Sequence, residues 1–200
     1  MKNKLLVLTL IALLCAGKVN AQETEEPKPS VEKEIIGIQA GLGVWGYYEF
    51  KMTNQLALRT EAGLNGGIWV KSSFYGDTEG GLLLTPIVRA EPRWYYNLNR
   101  RVRKGKDIKG NRANYLSLDT SFAPDWFVVS TNNDYKFYKR PILSIIPTWG
   151  IRRTLGKHFD YETGIGLGYS HAFEYTKNGF TYKAQDAAVL NLRFRIGYHF

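Results

Sequence analysis

Three stretches of this 200-residue chain hold residue types that could do chemistry. Ser170-His171, with Glu174 just beyond, offers a hydroxyl, an imidazole and a carboxylate. An acyl-transfer or hydrolytic site uses that set. Yet adjacent strand residues point to opposite faces, so Ser170 and His171 do not pair directly, and nothing in the sequence brings Glu174 to the imidazole. Residues 41–46, GLGVWG, match a G-x-G-x-x-G phosphate cradle. That cradle needs a following helix inside a βαβ unit. Here YYEFKM alternates instead, and a turn follows. The glycines fit a tight hairpin or a crowded sheet. His158, His171 and His199 are scattered, and the only cysteine is Cys15, so no metal-ligand spacing exists. No catalytic residue, metal or cofactor is expected.

The third set is larger. Inward-facing acids are expected at Glu49, Glu61, Glu91, Asp119, Asp160 and Glu162. Inward-facing bases are expected at Arg59, Arg89, Arg93, Arg152, Arg193 and Arg195. Six carboxylates meet six guanidiniums. The planar five-donor fork of arginine suits crowded carboxylate pairing. A three-residue turn at 53–55 sets Glu49 opposite Arg59 and Tyr47 opposite Glu61. A five-residue turn at 154–158 sets Arg152 opposite Asp160. The chemistry is ion pairing: a filled interior, or a narrow gated pore if the pairs shift.

The elements that position these charges are strands. In AAVLNLRFRIGYHF, Ala188, Leu190, Leu192, Phe194, Ile196, Tyr198 and Phe200 share one face. Asn191, Arg193, Arg195 and His199 share the other, which is the period of a two-faced strand. EPRWYYNLNRR and LALRTEAGL alternate in the same way. The alternation predicts eight strands, over 35–43, 46–52, 56–69, 82–98, 113–129, 140–153, 159–174 and 187–200, with the first hairpin the least defined. Most reach the roughly 9–11 residues that a tilted membrane-spanning strand needs. The fold class is therefore all-β: an antiparallel up-and-down transmembrane β-barrel with apolar side chains toward lipid and charges toward a small lumen. A lipocalin-like water-soluble binder would reverse the two faces.

One connectivity also yields two aromatic belts. Its inner end carries Phe50, Trp94, Tyr96, Trp149, Phe159, Tyr161, Tyr198 and Phe200. Its outer end carries Trp45, Trp69, Trp126, Tyr169 and Phe173. Pro86, Pro92, Pro141 and Pro147 each lack a ladder donor and are expected near rims or at bulges.

The chain opens MKNKLLVLTLIALLCAGKVNAQ. Two lysines, a short apolar run and Val19-Asn20-Ala21 read as a signal peptide over 1–21. Leu14 before Cys15 argues against lipidation. Residues 22–34, acidic and proline-bearing, read as a disordered periplasmic lead-in, leaving 35–200 for the barrel. The formal charge is +9; without Lys2, Lys4 and Lys18, 24 basic residues face 18 acidic ones. The excess is local: NRRVRKGKDIKGNR, 99–112, has seven Lys or Arg and one Asp. A basic patch can signal nucleic acid, but an exported chain argues for a solvated turn near anionic headgroups and for no nucleic-acid partner.

With its exported start, alternating strands and a last strand ending RFRIGYHF, the chain resembles the small eight-stranded outer-membrane barrels of the OmpX and OmpA-domain type. The stretches YYEFKMTNQLALRTEAGL, EPRWYYNLNRR and PTWGIRR resemble uncharacterised exported proteins of Bacteroidota-type bacteria. The first resemblance implies an outer-membrane location, lipid contact and recognition by the barrel-assembly machinery through Tyr198 and Phe200. Fold follows from such likeness and activity does not. The expected role is structural, adhesive or partner-binding through outer loops at 73–80 and 131–139, with no enzymatic activity. A narrow pore and a lipid-modifying enzyme are the alternatives.

Overall fold

The computed structural model describes residues 28–72, 78–131, 140–177 and 179–200, without the side chains of 69–72, 78, 79 and 177. The proposed signal peptide, residues 73–77 of one expected outer loop and 132–139 of the other lie outside the described residues.

Eight long strands alternate in facing, and each pairs with two neighbours. They are β1 (Glu34–Gly41), β2 (Gly43–Lys51), β3 (Leu56–Ser72), β4 (Thr78–Trp94), β5 (Asn114–Ala123), β7 (Ile142–Leu155), β8 (Phe159–Ala172) and β11 (Gln185–His199). Three short pieces decorate one end: β6 (Val129–Ser130), and the hairpin β9 (Tyr175–Lys177) and β10 (Phe180–Tyr182). The order β3-β2-β1-β11-β8-β7-β5-β4 closes through β3–β4 into an antiparallel ring. Closure removes most of the unpaired edge that an open sheet would expose. The first hairpin is real, since β1 and β2 pair from Glu34↔Phe50 to Gly41↔Gly43.

We call the end that holds Glu34 and His199 the near end, and the opposite one the far end. Two tight turns lie at the near end. In the first, the Met52 and Thr53 amides donate to the Leu56 carbonyl at 2.8 and 2.9 Å. In the second, β7 and β8 stay paired to Leu155↔Phe159, so only Gly156, Lys157 and His158 turn, with Gly156 at φ 71°. That is two residues tighter than the sequence suggests. The register moves accordingly: Arg152 faces Glu162, and Asp160 faces Thr154. The 53–55 turn matches expectation, with Glu49↔Arg59 and Tyr47↔Glu61.

Two prolines sit in mid-wall rather than at a rim. The β4–β5 ladder skips Glu91 and Pro92, and the β7–β8 ladder skips Ile146 and Pro147. Successive strand N–H groups point to alternate neighbours, so one proline disturbs one ladder and leaves the other intact. Pro92 still pairs with Leu58, and Pro147 with Leu118. Pro86 falls where β4 changes partner from β5 to β6, and Pro141 precedes β7.

The near end is capped by the basic segment. The chain leaves β4 at Trp94, forms α1 (Leu98–Arg103) and a 3₁₀ turn (Lys109–Asn111), then enters β5. Leu98, Tyr95, Ala113 and Tyr115 bury with Ala57 and Val31, and Ile108 packs on them. Val31 belongs to the segment expected to be a loose lead-in. Residues 28–33 depart from that expectation: Val31 N–H donates to the Asn54 carbonyl at 2.9 Å, and Glu32 N–H to Asn111 Oδ1 at 2.7 Å. The length of 99–112, unusual for a turn between strands, is what a lid across the barrel mouth requires. Burial, with Arg112 close by, lowers the Arg101 pKa below the ordinary guanidinium value, and Arg101 Nη2 donates to the Asp107 carbonyl at 2.9 Å.

Inside the wall, Gly150 on β7 stands against the Tyr115 ring, and any Cβ there would occupy the ring's own space. Gly150→Ala is therefore expected to destabilise by about 1–3 kcal/mol, read as a lower urea midpoint of the refolded chain. Tyr115→Leu should relieve part of that penalty in the double variant.

Candidate functional site

All twelve charged residues singled out from the sequence point into the barrel and lie at most 9% exposed. On each of seven strands the charges occupy every second position, and they converge because period two puts alternate side chains inside. They form one connected network in three tiers along the barrel axis.

At the near end Glu49 holds the cap to the wall. Its Oε1 accepts from Tyr95 Oη at 2.7 Å and Asn111 Nδ2 at 2.5 Å, and its Oε2 from Arg152 Nη1 at 3.0 Å. Arg152 also reaches Tyr47 Oη at 2.8 Å and Asp160 Oδ2 at 3.2 Å. Asp160 further accepts from Gln39 Nε2 at 3.0 Å and contacts His199 Nδ1 at 3.3 Å. Arg152 and Asp160 thus meet diagonally despite the shifted register.

The middle tier centres on Glu162. Its oxygens accept from Arg59 Nη1 at 3.1 Å and from Arg93 Nη1 and Nη2 at 2.9 and 3.1 Å. The Arg59 guanidinium also lies 3.6 Å from the centre of the Tyr47 ring, a cation–π contact. Glu91 binds Arg93 Nη2 at 2.8 Å, Arg193 Nη1 at 2.8 Å and Ser117 Oγ at 2.6 Å.

In the far tier Asp119 accepts from Arg89 Nε and Arg193 Nη2, both at 2.8 Å. Glu61 is shared by Arg59 Nε at 2.7 Å, Arg195 Nη1 at 2.8 Å and Arg89 Nη1. Five of the six acids have two or more arginines within 4 Å; Asp160 has Arg152 alone. The near and middle tiers exclude solvent, with Arg59, Arg93, Arg152, Glu91, Asp160 and Glu162 fully buried. Beyond the far tier the interior opens into a cup of about 270 Å³ bordered by Arg89, Asp119 and Ser144.

Tyr47, expected opposite Glu61, and Tyr95 join the network, and Gln39, Tyr115 and Asn111 complete it without being expected there. Tyr47 and Tyr95 stand two positions from Glu49 and Arg93, and parity puts them on the charged face. Asn111 comes from the cap, at φ 58°, and no periodicity points to it.

The aromatic residues lie on the opposite face. Trp94, Tyr96, Trp149, Phe159 and Phe200 are exposed on the outer surface at the near end, and Phe50, Tyr161 and Tyr198 are half-buried there. They contact one another: Trp94 with Tyr96, Phe159 with Tyr198, Tyr198 with Phe200, and Trp149 Nε1 donates to Tyr96 Oη at 2.9 Å. At the far end Trp126, Tyr169 and Phe173 are exposed. The Trp69 side chain lies outside the described residues. Trp45 is a correction: it shares parity with Tyr47 and Glu49, is 3% exposed, and faces inward, with the Arg195 guanidinium 4.2 Å from its ring centre.

The Ser170-His171 pair divides as strand geometry requires. Ser170 Oγ accepts from Ser144 Oγ at 3.1 Å. His171 instead contacts Asp186 Oδ1 through Nδ1 at 2.6 Å, and Tyr169 Oη donates to the same carboxylate. The acid beside the imidazole is Asp186, brought across by the β8–β11 register, and not Glu174. Among the described residues no group of three or more His, Cys, Asp or Glu is placed to hold a metal.

No family model, curated protein or solved structure matches the chain. The fold and its site define a class on their own: a closed eight-stranded antiparallel barrel with an ionic interior and an apolar outer wall.

Removing one partner from such a network leaves a buried charge uncompensated, which costs about 3–5 kcal/mol. Glu162→Ala should lose stability on that scale in urea unfolding. Glu162→Gln, which still accepts hydrogen bonds, should lose measurably less.

Proposed function

We propose that the chain is an integral outer-membrane barrel of structural, adhesive or partner-binding role, without enzymatic activity. One observation carries this: the outer wall is apolar and uncovered. Leu190, Leu192 and Phe194 are 61%, 71% and 64% exposed, and Ile36, Ile38, Leu82, Val88, Leu116, Ile145, Ile165 and Leu167 continue the band across the other strands. In water, contiguous apolar patches beyond a few hundred Å² are rare on a monomer. In a bilayer the same wall, flanked by aromatic belts, is the expected surface.

On this reading the near end faces the periplasm and the far end the exterior. The basic cap then lies by the inner headgroups, where lysine and arginine are attracted to anionic lipid. The C-terminal strand, ending in Tyr198 and Phe200, would serve as the tag for the barrel-assembly machinery. An extracellular partner would be met by the outer loops.

The solvent-free near half and its cap favour a closed tube over a pore. The His171–Asp186 contact supplies a base and an orienting acid without a facing hydroxyl at Ser170, which disfavours acyl chemistry.

The chain is expected in the detergent-requiring membrane fraction after alkaline washing, migrating faster on gels unheated than boiled. Release by the wash would exclude the membrane assignment. In planar bilayers the refolded chain is expected to pass no current, and a steady conductance would overturn the closed tube.

A further inference from the structure

The barrel wall has a notch. β1 and β2 are eight and nine residues long, whereas β3 and β4 have seventeen each and β11 fifteen. Pairing of β11 with β1 stops at Arg195↔Gly41, and pairing of β3 with β2 stops at Asn65↔Gly43. Above that level β11 runs on from Phe194 to Gln185 bonded only to β8, and β3 runs on to Ser72 bonded only to β4. Among the described residues nothing joins these two edges. The floor is the β1–β2 turn, where the Leu42 carbonyl accepts from Gly66 N–H at 2.8 Å.

Within the notch lies a cavity of about 130 Å³ lined by Arg89, Arg193 and Arg195, by Asn65 and Asn191, and by no carboxylate. Glu61 takes Arg89 Nη1 and Arg195 Nη1 and is shared with Arg59, Asp119 takes Arg89 Nε and Arg193 Nη2, and Glu91 takes Arg193 Nη1. Donors are left over. The Arg193 Nε and Trp45 Nε1 atoms are buried without a hydrogen-bond partner, and Trp45 lines the cavity. Arg195 bonds the described residues only through Nη1. The mouth is apolar instead: Leu42, Leu192 and Phe194 frame it, each at least 60% exposed on the outer wall. Unpaired strand edges do not persist against hydrocarbon, so a polar or amphiphilic occupant suits the notch.

We propose that this notch is a lateral binding site for an anionic amphiphile. Its carboxylate or phosphate headgroup sits among Arg89, Arg193 and Arg195, and its hydrocarbon chain leaves over Leu192 and Phe194 into the apolar band. The site rests on the outer-membrane assignment, because only a bilayer places acyl chains at that mouth. Guanidiniums bind such headgroups through charge-assisted, often bidentate hydrogen bonds. The spare donors match that demand, and the closed near end stops the ligand from passing through.

The full chain, refolded in uncharged maltoside micelles, is titrated with a dibrominated stearate while tryptophan fluorescence is followed. Saturable quenching is expected, with a component that disappears in Trp45→Phe. The methyl ester of the same acid should quench without saturation, and inorganic phosphate should not compete, which separates a chain-bearing ligand from a free anion. Arg195→Gln should weaken binding by about tenfold or more, the equivalent of one lost charge-assisted hydrogen bond. Asn65→Asp removes no network partner and adds a repelling carboxylate, so it should weaken binding similarly even if Arg195→Gln fails to fold. Equal quenching by acid and ester, competition by phosphate alone, or an Asn65→Asp variant that folds and binds normally would overturn the site. A chain that stays in the membrane fraction yet shows those results loses only the notch, whereas a chain washed free by alkali loses the membrane assignment itself.

Discussion

Twelve charges buried in one tube must all be paired, and the rest of the molecule follows from that demand. Moving a carboxylate or guanidinium out of water is expensive, and mutual attraction repays it only with good geometry and further hydrogen bonds. Here the repayment is collective. Glu162, Glu91 and Glu61 each bridge arginines from different strands, so β3, β4, β8 and β11 cannot shift independently. A slip of one residue would turn its ions to the outer face and leave their partners stranded. The ion network and the strand register therefore specify each other. Tyrosines extend the pairing where carboxylates run out: Tyr47 takes a hydrogen bond from Arg152 and receives Arg59 on its ring.

The same demand explains the near-end cap. Glu49 and Asp160 lie close to the barrel mouth, where water would loosen their pairs. The 95–113 excursion brings Tyr95 and Asn111 onto Glu49, while Leu98, Val31 and Ile108 make an apolar seal around Tyr115 and Ala57. The lysines and arginines that give the segment its charge play no part in that seal. It is built from Val31 and Leu98, which lie outside the basic run, and from Ile108, which interrupts it. The net positive charge of the chain thus sits largely outside a barrel whose interior is balanced six against six.

Alternation made the barrel legible. Parity alone selected the inward ions, because a strand offers two faces and the charges occupy one. It also set Glu49 against Arg59, since a three-residue turn leaves one register open. It fell short where local geometry departs from alternation. Gly156 accepts a positive φ and tightens the second turn, which changes the register partner of Arg152 from Asp160 to Glu162 while Asp160 stays within reach diagonally. Trp45 lies near the far end of the first hairpin, where an outer belt is expected, but its parity with Tyr47 puts it inside. The cap was illegible for a different reason: Val31, Leu98 and Asn111 are far apart in sequence and have no shared period, so only the closed ring shows that they lie over one opening.

The two halves of the tube differ because β1 and β2 are short. Where all eight strands are present, inward side chains fill the cross-section, as expected for so narrow a barrel. Where the first hairpin ends, the ring loses two strands on one side, and its arginines keep donors that no carboxylate meets. Further ion pairs could have filled that space, yet Asn65, Asn191 and the inward-facing Val189 stand there, and none is an acid. A wall that needed only to be stable would carry the β1–β2 hairpin to full height and close its edges. Among the described residues the chain instead leaves one edge of β11 open beside a cluster of guanidiniums, the arrangement expected if that opening is used from the side.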